Sequence, residues 1–178
     1  MKQRPVFNVM LTLLVVTLFS VGNAYSLDGR YTKLDASGAE LSNDAKEWAI
    51  TFDSSTGLYW EVKSASDDIH SKDGVYSYSK AKKNFIAKLN EENFGGFSDW
   101  RLPTLQELTK LREKGDETPY INQEAYPNTV PSEYICWELC GNGEITPRKV
   151  KFGKQKAKKR SSFVRAVRGA SPAGSDRW

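Results

Sequence analysis

Histidine is nearly absent from this chain: 178 residues contain one, His70. A tetrahedral zinc site draws on four His, Cys or carboxylate ligands. The two cysteines, Cys136 and Cys140, form a C-x3-C pair far from His70 in sequence. No metal is therefore expected. No cofactor is expected either, because the chain has no Gly-rich phosphate loop, no G-x-S-x-G and no H-E-x-x-H. The C-x-x-C redox spacing is missing too. With acid–base and thiol chemistry so poorly supplied, no catalytic residue is assigned and the sequence reads as that of a non-enzyme.

Long apolar runs are also scarce. The longest, from Val9 to Phe19, covers 11 residues, against the ~20 that a membrane-spanning helix needs. Lys2 and Arg4 precede it, and Gly22, Ala24 and Ser26 follow. A basic start, an apolar middle and small residues at the end are the order of a secretory signal. Residues 1–24 read as a signal peptide cleaved after Ala24 or Ser26, which makes the product exported, to the periplasm or the cell surface. About 150 residues remain, the size of one domain.

Acidic residues are missing from one stretch altogether. Arg148 to Arg168 holds ten Lys and Arg and no Asp or Glu. The formal charge of the whole chain is +4, of which Lys2 and Arg4 carry two, so the rest of the mature chain stands at −8. Charge segregated in this way points to a polyanionic partner.

Export permits a disulfide. On a straight strand the Cα atoms of Cys136 and Cys140 would lie ~13 Å apart at ~3.3 Å per residue, beyond the ~7 Å limit for a bridge. The expected Cys136–Cys140 disulfide therefore requires a bend at Trp137 to Leu139, and would contribute about 2 kcal/mol.

In "EWAITFDSSTGLYWEVK", Trp48, Ile50 and Phe52 alternate, then Leu58, Trp60 and Val62, with Gly57 in the turn between. That is a hairpin. Ser77 caps a helix whose buried face is Tyr78, Ala81, Phe85 and Leu89. The helix should stop before Gly95 and Gly96. In "GGFSDWRLPTLQEL", Thr104 and Glu107 form a capping box behind Pro103. Asp99, Trp100 and Arg101 precede it as a brace, through an ion pair or loop hydrogen bonds, since no nucleophile or base accompanies them. Residues 116 to 133 read as a turn-rich loop. "YICWELC" and "RKVKF" read as strands, "GKQKAKKRSS" as a hairpin connection and "FVRAVR" as a last strand. Residues 170–178 read as a tail, with Trp178 given no role.

"STGLYWEV", an amphipathic helix, "GGFSDWRLPTLQEL" and a final "FVRAVRG", in that order, resemble the C-terminal domain family of the Legionella collagen-like adhesin. The resemblance spans residues 28–169. It implies an α+β, C-type-lectin-like fold, with two helices packed on antiparallel sheet and hairpins. It also implies a secreted or surface binding role, with sulfated glycosaminoglycan as ligand and association as a trimer. The calcium motifs of sugar-binding lectins, Glu-Pro-Asn and Trp-Asn-Asp, are missing, so neither calcium nor neutral-sugar recognition follows.

Two functions compete. In the first, a basic hairpin binds acidic polysaccharide, lipopolysaccharide phosphate or another polyanion. Lys149, Lys151, Lys154, Lys156, Lys158, Lys159 and Arg160 are its contacts, with Lys149 and Lys151 on one face of a strand and Val150 and Phe152 on the other. In the second, the chain is an envelope or pilus-associated structural subunit that docks on a protein partner through apolar surface around Tyr120, Tyr126 and Tyr134.

Overall fold

The structure, a computed structural model, describes residues 29–156 and 161–170. The expected signal peptide, Lys158, Lys159, Arg160 and the tail from residue 171 lie outside the described residues.

Two four-stranded sheets and a short helical layer make the fold, which is α+β. The first sheet holds β1 (Tyr31–Leu34), β2 (Ile50–Asp53), β3 (Leu58–Glu61) and, at the far end of the chain, β8 (Val167–Arg168), in the order β1-β2-β3-β8. The second holds β4 (Val75–Tyr76), β5 (Glu133–Leu139), β6 (Ile145–Lys151) and β7 (Ser162–Phe163), in the order β4-β7-β5-β6. The expectation of antiparallel sheet holds for the first. The second is mixed, because Tyr134 of β5 and Phe163 of β7 pair in parallel.

The β2–β3 hairpin forms around Gly57, whose φ of +68° suits a glycine. Its two apolar stripes do not share a face. Ile50 pairs with Glu61 and Phe52 with Tyr59, while Thr51 pairs with Trp60 and Asp53 with Leu58. Cross-strand partners project to the same side, so Ile50 and Trp60 enter different clusters on opposite faces of the sheet.

Ser77 accepts a hydrogen bond from the backbone N–H of Lys80 and starts a helical run in three parts: α1 (Tyr78–Lys80), a π-helical stretch (Ala81–Ile86) and α2 (Ala87–Glu91). Ala81, Phe85 and Leu89 are fully buried, and Tyr78 is half-buried beside them. Asn93, at φ +50°, turns the chain into a 3-10 turn at Phe94–Gly96. The second helix, α3 (Leu105–Lys110), is six residues long and buries Glu107 and Leu108.

The turn-rich loop is held down by packing. Ile121, Ala125 and Tyr126 are buried, and Tyr126 meets both Tyr31 and Trp60 edge-on. Thr51 donates its hydroxyl proton to the Ala125 carbonyl at 2.6 Å.

Two expectations are corrected here. First, residues 148–168 do not form a hairpin. β6 and β7 both neighbour β5, on opposite sides, and do not pair with each other. β5 buries Tyr134 and Cys136 in one cluster and Ile135 and Trp137 in the other. A strand buried on both faces belongs inside a sheet and takes two neighbours. "FVRAVR" then divides: Phe163 closes β7, Val164, Arg165 and Ala166 pass through the interior, and Val167 and Arg168 join the first sheet.

Second, Cys136 and Cys140 are free thiols. β5 runs straight through Trp137 to Leu139, in continuous register with β6 from Glu133↔Lys151 to Leu139↔Ile145. Without a bend, the ~13 Å separation along a strand stands.

Candidate binding surface

The "SDWRLP" block joins three elements. Trp100 is buried; its backbone N–H donates to Asn90 Oδ1 at 2.7 Å and its indole N–H to the Phe94 carbonyl at 2.8 Å. That ties the block to the end of α2. The backbones of Arg101 and Val167 exchange two hydrogen bonds, at 2.9 and 3.0 Å, which ties it to β8. Trp137 donates its backbone N–H to the Pro103 carbonyl and its indole N–H to the Leu102 carbonyl, which ties it to β5.

Arg101 and Asp99 do not pair with each other. Arg101 forks onto Glu107, Nη1 to Oε2 at 2.8 Å and Nη2 to Oε1 at 2.7 Å. The capping box is formed: the Thr104 N–H donates to Glu107 Oε2, and the Glu107 N–H to Thr104 Oγ1. Burial raises the Glu107 carboxyl, but the Arg101 guanidinium and the Thr104 bonds outweigh it and hold the group below the usual carboxylate range. Asp99 instead accepts from Arg168, which also lies 3.6 Å over the Phe97 ring.

A second buried charge cluster sits behind β3. The Glu61 carboxylate, with no exposure, accepts from Lys63 Nζ at 2.8 Å, His70 Nδ1 at 3.0 Å and the Ala166 N–H at 3.1 Å. Burial pulls this carboxyl upward; Lys63 and His70 outweigh it and leave it depressed. Arg165, buried, donates to the Glu61 carbonyl and to Thr129 Oγ1. His70 also stacks on Phe94 at 4.3 Å. The only histidine is thus bound to a structural carboxylate. Among the described residues no group of His, Cys, Asp or Glu could hold a metal ion. The Cys136 thiol, pushed up to about 12 mainly by burial, is unsuited to nucleophilic work.

The basic residues of 148–168 are dispersed. Arg148 pairs with Glu138 at 2.9 Å. Lys149 and Lys151 lie on the opposite face of β6 from Arg148, by alternation, and share Glu133 at 3.4 and 3.5 Å. Arg165 is interior, and Arg168 lies in the other sheet, on Asp99. Lys154 and Lys156 follow β6, are exposed, and neither is in an ion pair among the described residues. Lys149 and Lys151 do straddle a buried Val150, and Phe152 is buried beyond them, as alternation requires. The structure therefore brings Lys149, Lys151, Lys154 and Lys156 onto one short segment and assigns Arg148, Arg165 and Arg168 elsewhere. Sequence reading missed the pairing of Glu138, Glu133 and Asp99 with these cations. Their signal existed only in strand register and chain return, neither of which is local.

The apolar surface expected at Tyr126 and Tyr134 is absent, since both are 1% exposed. Among the described residues Leu139 is the exposed large hydrophobic. It rims a cleft of about 590 Å³ between α3 and β5, lined by Leu105, Thr109, Lys110 and Trp137 among others. Among the described residues, no helix is long and apolar enough to cross a membrane.

In this two-sheet α+β domain the buried charged groups Glu61, Lys63, Arg101, Glu107 and Arg165 are all committed to structural contacts. Residues 49–168 match the Lcl C-terminal domain, and the chain belongs to that adhesin-like family. No curated protein and no solved structure matches the chain.

Proposed function

We propose that this protein is an exported, non-catalytic binding module that engages polyanions, such as acidic surface polysaccharide or lipopolysaccharide phosphate. The contact is the segment that begins on β6 and continues past it: Lys149, Lys151, Lys154 and Lys156, followed in sequence by Lys158, Lys159 and Arg160. The observation that carries this reading is the exposure of Lys154 and Lys156 with no carboxylate against them among the described residues, in a stretch that has no acidic residue. Unanswered like charges repel one another and cost stability, so their retention fits an external anion. The adhesin-like family supports a binding role at an exported or surface location. A C-type-lectin-like topology and trimeric association belong to the same proposal, on the family resemblance.

The test is retention on immobilised heparin in a salt gradient, beside a variant with Lys154, Lys156, Lys158 and Lys159 changed to Gln. Linear polyanions bind with counterion release, so affinity falls steeply with salt and the variant should lose slope as well as retention. Co-elution of both proteins at low salt refutes the reading.

One observation favours a second reading, an envelope protein partner. Leu139 and the apolar α3–β5 cleft supply a surface for it. A stoichiometric partner that stays bound at high salt, and is lost on Leu139→Lys, would establish it.

A further inference from the structure

We infer that Glu133 is a built-in counter-anion that occupies the polyanion seat of Lys149 and Lys151 and sets how strongly an external anion must bind to displace it. The inference rests on the polyanion reading above and concerns the regulation of that same site.

Three observations carry it. Glu133 opens β5 directly opposite Lys151, so their side chains leave the same face of the β5–β6 pair. Its two oxygens are divided between the lysines, Oε2 to Lys149 at 3.4 Å and Oε1 to Lys151 at 3.5 Å. One carboxylate bridging two ammonium groups is the arrangement a sulfate or phosphate monoester oxygen pair would adopt there. Both lysines are exposed enough to be reached, at 45% and 70% of their side chains, whereas Glu133 is three-quarters covered, at 27%. The carboxylate is therefore the fixed member and the ammonium groups are the ones free to swing outward. β6 is also the edge of its sheet. Lysines and Pro147 on an edge discourage strand addition, so this face is open to a side-chain-recognised ligand rather than to another strand.

An external polyanion must first separate the lysines from Glu133. Removing the carboxylate should release two cations at once. Glu133→Gln keeps the side-chain shape and deletes the charge. Its effect should exceed that of deleting any one exposed carboxylate. Glu124→Gln serves as the charge-matched control, since Glu124 lies beside Tyr31 and Lys33 of the first sheet.

The probe is heparin, immobilised for salt-gradient elution and free in solution for titration at several salt concentrations. Wild type, Glu133→Gln, Glu124→Gln and the triple variant Glu133→Gln/Lys149→Gln/Lys151→Gln are compared, with matching circular dichroism and melting temperature as the folding control. Glu133→Gln is expected to elute later than wild type and to bind roughly fivefold tighter at low salt, the upper range of one surface ion pair. Its plot of log affinity against log salt should steepen by up to about two ions. Glu124→Gln should show little of this gain, and the triple variant none. Elution of Glu133→Gln with wild type, or a gain equal to that of Glu124→Gln, overturns the inference while leaving the Lys154 and Lys156 contact intact. If wild type is not retained at all, the polyanion reading fails and this inference fails with it.

Discussion

Asp99 grips Arg168 across 69 residues of sequence, Oδ1 to Nε at 2.7 Å and Oδ2 to Nη2 at 3.2 Å. The guanidinium carbon lies 3.6 Å from the Phe97 ring centre and 4.7 Å from that of Tyr59. The loop after α2 is thereby fastened to the last strand of the first sheet. Arg168, one of the ten cations of the stretch without an acid, is a rivet.

Because Asp99 is largely exposed, its charge contributes little and the stacking contributes more. Asp99→Asn should cost under about 1 kcal/mol. Arg168→Ala should cost about 1–2 kcal/mol, from lost packing and cation–π contact. Arg168→Lys should recover only part, since a lysine has no planar fork. Urea midpoints for the three variants decide this; equal losses for Asp99→Asn and Arg168→Ala would contradict the ordering.

The Arg101–Glu107 pair is buried, so breaking one side leaves a charge stranded. Arg101→Met should destabilise by about 3–5 kcal/mol. Thr104→Ala, which removes only the cap, should cost about 1 kcal/mol. A smaller loss for Arg101→Met than for Thr104→Ala would mean that the pair is not the anchor of the block.

Acid should unfold the domain through Glu61 and Glu107. Both carboxyls are depressed in the folded state, by Lys63 and His70 in one case and by Arg101 and Thr104 in the other, against a burial effect of opposite sign. The unfolded chain takes up protons near its ordinary value of about 4.3, where the folded one does not. The stability these groups contribute is therefore present above about pH 4.3 and is lost as pH falls toward their folded values. Urea midpoints measured from pH 7 to pH 3 should stay level at first and then drop. Glu107→Gln should start lower and drop less steeply. A midpoint that rises on acidification would reverse the sign.

The two thiols should differ in reactivity. Cys136 is buried, with its thiol pushed up to about 12, while Cys140 is half-buried near Thr146 at the end of β5. Brief iodoacetamide treatment of native protein should add one group, at Cys140, and treatment in urea two. Mass unchanged by alkylation, but increased after reduction, would reveal a bridge that β5 as seen here does not allow.

Gly95 should resist substitution. Its φ is +66°, and a Cβ there would collide with Ile50 Cδ1. Gly95→Ala should cost more than about 1 kcal/mol, visible as a fall in melting temperature. Gly141→Ala, with open space around it and no positive φ, should be close to neutral.

Local pattern carried far in this chain and failed at identifiable places. The Ser77 cap, the stripe of Ala81, Phe85 and Leu89, the turn at Gly57 and the Thr104–Glu107 box depend on neighbours within a few residues. Each follows from spacing and capping chemistry, and each formed. The α+β class was implied by the family resemblance, and the two sheets with their helical layer bear it out. The hairpin of residues 148–168 failed because strand partners are chosen by burial. β5 is apolar on both faces and took β6 and β7 on either side.

By itself, then, the sequence determined where helices and strands begin, which residues cap them, and that ten cations crowd a stretch without an acid. Only the tertiary structure decided which cations remain available. Arg165 went inside, Arg168 went to Asp99, Arg148 to Glu138, and Lys149 and Lys151 to Glu133. The physical reason is that charge is additive along a chain but its neutralisation is a matter of distance in space. That distance is set by strand register and by which face of each sheet is buried, long-range choices that no window of sequence contains.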